Sequence, residues 1–115
     1  MLKVSSAQLD ALAAGRLHAF CVELAARARL RHGATCDAWT DAELVGLLTD
    51  EITFARGHGI VRRDVLERWA DLAILLGFGF GAALPWAAAI LAEDVAAPLR
   101  LDRIEREAVF AAREA

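Results

Sequence analysis

The chain has only two cysteines among its 115 residues, Cys21 and Cys36, with fourteen residues between them. That excludes the four- or six-cysteine frameworks that staple small secreted domains, and no C-x-x-C pair suggests a redox or zinc motif. Reduced cytoplasmic thiols are the expectation. A one-signed charge is also missing. Thirteen basic residues face sixteen acidic ones for a net charge of −3, with nine of each in residues 1–70 and four against seven in residues 71–115. Neither half carries the basic stripe of a nucleic-acid surface, so no nucleic-acid partner is expected. The start, MLKVSSAQLDALAAGR, lacks the basic and continuous apolar regions of a signal peptide, which points to a cytoplasmic location. β-Branched residues are sparse: Val, Ile and Thr total 16, against 26 Ala and 17 Leu. Ala and Leu lead the helix-propensity ranking, so the composition predicts an all-α fold. At this length one domain over residues 1–115 is expected, with a single core and no need of metal or disulfides.

Helix signals recur along the chain. Ser5 and Gln8 have capping-box spacing, and Leu9, Leu12, Ala13, Leu17, Phe20, Cys21 and Leu24 follow at three- and four-residue steps. This predicts a long amphipathic first helix ending near His32-Gly33. After the polar stretch GATCDAW, Thr40 and Glu43 repeat the capping-box spacing ahead of Leu44, Leu48, Ile52 and Ala55. The second helix should end at RGHG, where glycine can take a left-handed C-cap. Arg62 to Leu76 reads as a third helix, apolar nearly all round in its second half. Pro98 opens a last helix with Leu101, Ile104 and Ala108 facing inward.

The stretch between them needs a decision. Leu72 to Ala92 is a run of 21 residues without a charge, long enough to cross a bilayer as a helix. Its nine Leu, Ile and Phe residues favour insertion by about 3 to 5 kcal/mol in total, before the opposing effect of Gly77, Gly79, Gly81 and Pro85. Each interior Gly costs a helix about 1 kcal/mol and an interior Pro about 3, so a straight span is disfavoured. The better reading makes GFGFGAAL a flexible Gly-rich loop between helices 3 and 4, with Pro85 in the first turn of a short helix through Trp86, Ile90 and Leu91. The expected architecture is therefore an all-α compact bundle of about five helices, with a membrane span over 72–92 as the disfavoured alternative.

Catalytic chemistry finds little support. His18, Cys21, His32 and Cys36 can be written as a four-ligand zinc pattern, but Cys21 continues an apolar stripe and Gly33 breaks any helical relation between His32 and Cys36. No metal or other cofactor is expected. His58 sits between glycines at a helix end, where an imidazolium interacts with the helix dipole. Ser5 and Ser6 read as caps rather than nucleophiles, and GFGFG departs from a dinucleotide fingerprint because Ala82 stands where the third glycine belongs. The cluster Arg27, Arg29, Arg31 and His32 reads as cations at a helix C-terminus. A non-enzymatic protein is expected, whose work is to bind a protein partner. Phe78, Phe80 and Trp86, in or beside the Gly-rich loop, are the candidate partner-binding residues, since aromatic anchors carry much of the energy of protein interfaces. Phe78 and Phe80 are two apart and cannot both point inward from an extended segment. An apolar fraction of 57% leaves room for a homodimer.

Several short motifs carry a resemblance. His58-Gly59-Ile60, Asp64, Leu76-Gly77, Phe80, Leu84-Pro85-Trp86-Ala87 and Ile90-Leu91, with the opening Gln8 to Leu12, resemble small bacterial proteins encoded beside type VI secretion spike and effector genes, next to VgrG and PAAR proteins. Those relatives carry an acidic loop where this chain has Gly79, Gly81, Ala82 and Ala83. The resemblance implies an accessory role in interbacterial antagonism. The partner would be a secreted effector or a spike component, and the role either adaptor or chaperone, or immunity protein against a neighbouring toxin. The low net charge favours the adaptor, because an immunity protein that mimics a substrate's charge relies on a one-signed surface.

Overall fold

The computed structural model describes residues 5–114, and of residues 112–114 the backbone alone. It is all-helical, and no strand occurs among the described residues. The elements are α1 (Ser6–Arg31), α2 (Gly33–Cys36), α3 (Asp41–Gly57), α4 (Arg63–Leu76), α5 (Phe80–Ala83), α6 (Pro85–Leu91) and α7 (Ala97–Glu114). The five longer helices stand where the sequence placed them. The two additions are single turns, α2 in the polar stretch and α5 inside the Gly-rich segment. Packing divides the chain into two compact units, residues 1–49 and 50–115, and the division falls within α3.

In the first unit, Ser5 caps α1 through the expected reciprocal pair: its Oγ accepts from Gln8 N at 3.1 Å and its N–H donates to Gln8 Oε1 at 2.8 Å. Thr40 and Glu43 repeat that pair at the start of α3, at 3.0 and 3.1 Å. Between the helices the chain is tied by Arg29. Its guanidinium donates to Asp41 Oδ1 at 2.8 Å, to the Cys36 carbonyl at 3.1 Å and to the Trp39 carbonyl at 2.8 Å. The sequence expectation of Arg29 as one of a group of solvated helix-end cations is thereby corrected: it closes the turn after α1. Cys21, Leu24, Ala25 and Ala28 are buried, as are Leu44 and Leu48 of α3.

The second unit is centred on α4, which buries Val65, Leu66, Trp69, Ala70, Leu72, Ala73 and Ile74. Arg68, on its other side, donates to Glu105 Oε1 at 3.0 Å and Asp102 Oδ1 at 2.7 Å, joining α4 to α7. From α7, Leu101 and Ile104 are buried, while Ala108 is only half-buried. Pro85 occupies the first turn of α6. The uncharged run is thus split among α4, a turn, α5 and α6. Among the described residues no helix is long and apolar enough to cross a membrane.

Candidate functional site

The Gly-rich segment is built around a buried acid. Glu51, on α3, is 5% exposed, and its two oxygens accept from different elements: Oε2 from Trp69 Nε1 at 2.8 Å, and Oε1 from Gly79 N at 2.6 Å. One carboxyl group therefore joins α3, α4 and the turn before α5. Trp69 in turn lies between two rings, with Phe54 at 5.9 Å and Phe80 at 4.5 Å between centroids.

The glycines serve this arrangement. Gly77 and Gly79 have φ of 104° and 86°, in the region that side chains rarely adopt, and together they reverse the chain after α4. Gly81 is helical but has no room for a side chain: a Cβ there would stand 2.6 Å from Phe54 Cε1 and 3.0 Å from Trp69 Cη2. The segment expected to be a flexible loop is instead a tethered turn followed by one helical turn. The reason is that Gly79 N has a buried acceptor and Gly81 lets two aromatic rings close over the backbone.

This placement sorts the three aromatic candidates. Phe80 is 2% exposed and belongs to the stack on Trp69, so its ring is a core ring in this fold. Phe78 is half-buried, consistent with the two phenylalanines pointing different ways. Trp86 is also half-buried and lines an open groove with Glu107, Phe110 and Ala111 of α7. With Phe80 enclosed, the three do not form one exposed aromatic patch. Phe110, 53% exposed, is the aromatic that joins Trp86 instead. Its signal was its place off the Leu101–Ile104–Ala108 stripe.

A second surface lies on α1. The buried residues of α1, Cys21, Leu24, Ala25 and Ala28, lie on one face of its second half, Leu17 and Phe20 are half-buried, and Leu9 and Leu12, turned roughly 140° from that face, are exposed. Residues 6–16 are all exposed, and Leu9 and Leu12 are each 56% exposed. The first part of the expected amphipathic helix therefore has no covering layer among the described residues.

The titratable groups offer little chemistry. Both oxygens of Glu51 are occupied by N–H donors within packed side chains. Cys21 and Cys36 are fully buried thiols, and burial pushes the Cys36 thiol up, opposed by the Arg29 guanidinium and reinforced by Asp37. His18 is exposed, and His58 is exposed with its ring 4.7 Å from Phe54. Among the described residues no group of three or more His, Cys, Asp or Glu is placed to hold a metal.

The chain matches no family profile, no characterised protein and no solved structure.

Proposed function

We propose that the chain is a non-enzymatic interaction module, an adaptor or chaperone-like accessory of a bacterial type VI secretion effector module acting in the cytoplasm. The observation that carries the interaction reading is the exposed leucine pair, Leu9 and Leu12, on the first part of α1. Single exposed leucines are ordinary on protein surfaces, but Leu9 and Leu12 stand one helical turn apart on a stretch of α1 that is exposed throughout. At 1.5 Å per residue, the exposed residues 6–16 present about 16 Å of helix to a partner. Covering each leucine would contribute about 1.5 to 3 kcal/mol, on the scale of an interface anchor. The groove of Trp86 and Phe110 adds a second aromatic surface of the kind that receives an apolar segment. The class of partner, an effector or spike component, rests on the resemblance carried by His58-Gly59-Ile60 and Leu84-Pro85-Trp86-Ala87.

The test pairs binding with delivery. The wild-type chain should co-elute on a sizing column with the product of the adjacent effector gene, and Leu9→Lys with Leu12→Lys should abolish that complex while leaving the circular dichroism spectrum intact. Deleting the gene should stop delivery of that effector. Unchanged delivery, with cells becoming sensitive to their own toxin, would overturn the adaptor role in favour of immunity, and no complex in either buffer or lysate would overturn the module itself.

A further inference from the structure

The side of α1 turned away from its core is apolar along most of its length. Leu12, Gly15, Ala19, Val22 and Ala26 recur at alternating steps of three and four, all exposed and none charged, on a face turned roughly 150° from Cys21, Leu24, Ala25 and Ala28. A Cβ added at Gly15 would meet nothing within 4 Å. This spacing is the a and d pattern by which a helix buries one seam against a second helix. α1 buries a different seam against its own fold, and this one stays uncovered.

The edge of the seam identifies what covers it. Leu9, Arg16, Glu23 and Leu30 repeat at seven-residue intervals along that edge, again all exposed, with Leu30 at 90%. When two copies lie antiparallel with Ala19 of one opposite Val22 of the other, this edge meets itself. Arg16 then stands beside the second copy's Glu23, Glu23 beside its Arg16, and Leu9 beside its Leu30. In the same register Gly15 faces Ala26, so the backbones can approach closely. Leu12 meets the stem of the second copy's Arg29, whose guanidinium is held by Asp41 and two carbonyls. A parallel pair sets Arg16, Glu23 and Leu30 against Ala11, His18 and Ala25 instead, and gives Arg16 no acid. Residues 6–16 supply a further reason for pairing, because so short a helical stretch without a covering layer is marginal in water. The antiparallel arrangement lays each uncovered half of α1 along the anchored half of the other copy.

We propose that the free chain forms an antiparallel dimer through this face of α1, the two helices paired over about three heptads. The arrangement is self-complementary, as a twofold interface must be. A single helix pair of this length is a small interface, so the dimer is weak and forms as concentration rises. The proposal goes beyond the effector reading and does not depend on it. Both use Leu9 and Leu12, so an effector that takes them displaces the second copy.

Sedimentation equilibrium of the full chain alone, from micromolar to millimolar concentration, tests this directly. The mass should rise from one chain to two and stop there. Arg16→Glu and Glu23→Arg should each raise the dissociation constant by roughly fivefold or more, because each sets like charges together at both symmetry-related contacts. Combining the two restores the opposite signs and should bring the constant back to within about twofold of the wild type. Both positions are exposed, so circular dichroism should show the same helix content in all four proteins. Amide exchange over residues 9–16 should slow as the dimer forms. A monomer at every concentration, growth beyond two chains, single reversals without effect, or a double variant no better than the singles would each overturn the proposal. The two readings fail separately: a dimer that never forms a complex with the effector removes the effector role, and an effector complex made by a chain that is monomeric alone removes the dimer.

Discussion

At the scale of single residues, Glu51 decides most. A glutamate on the buried side of α3 is tolerable because two N–H donors reach it, from Trp69 and from Gly79. Glu51→Gln keeps one acceptor oxygen but turns an amide against the other donor. The variant should lose about 1 to 3 kcal/mol, the cost of a buried donor left unpaired, measured by urea unfolding. Gly81→Ala should lose a similar amount, about 1 to 3 kcal/mol, by overpacking against Phe54 and Trp69. A loss below the error of the measurement in both would mean that the turn before α5 is not tethered as described. The two thiols give another test. Being buried, and with that of Cys36 pushed up, they should resist Ellman's reagent at neutral pH and react stoichiometrically once guanidinium unfolds the chain. Glu51 was not legible in the sequence, although it stands three residues after Leu48, inside the stripe of α3. A charged side chain at such a place shows in the pattern only as an interruption, and its donors lie 18 and 28 residues away.

At the scale of elements, the helix starts were the most legible features, because capping is local chemistry. Ser5 with Gln8 and Thr40 with Glu43 form the bonds their spacing implies. The second pair makes a pH prediction. The Thr40 N–H, and then its hydroxyl, hold the Glu43 carboxyl below the ordinary glutamate value. A depressed carboxyl contributes stability above its unfolded value, and that contribution is lost as pH falls through the lower, folded one. Thr40→Ala should therefore move the Glu43 titration up toward the ordinary value, followed by carboxyl carbon NMR. Asp64 should behave alike through its bond to Arg62, and Arg62→Ala should raise it. The stripe of α1 was legible as a pattern but not as an outcome. Period alone says which side chains share a face and is silent on whether anything covers that face. The Gly-rich segment was misread as flexible for the related reason that glycine signals freedom in isolation, while here three glycines fit a positive φ or a tight ring contact.

At the scale of the whole chain, helix content followed from composition, and the division of the uncharged run followed from Gly77 to Pro85. The run contributes to three separate helices, none able to span a bilayer. If the chain acts in the cytoplasm as proposed, cells lysed without detergent should leave the protein in the supernatant after ultracentrifugation. Recovery in the membrane pellet, resistant to high salt, would contradict that location. The partition into two compact units at Thr49 and Asp50 was not legible, since α3 runs through it without a break in periodicity.

The environments of two tryptophans also give the molecule an internal pair of lamps. Trp69 is enclosed between Phe54 and Phe80 with its indole N–H held by Glu51, so its emission should lie to the blue and ignore iodide. Trp86 opens onto the groove beside Phe110 and should be redder and quenchable. With Trp39 replaced by Phe, one spectrum would report the integrity of the core and the occupancy of the groove as separate signals. A partner seated on α7 could then be told from one that unfolds the chain without any added dye.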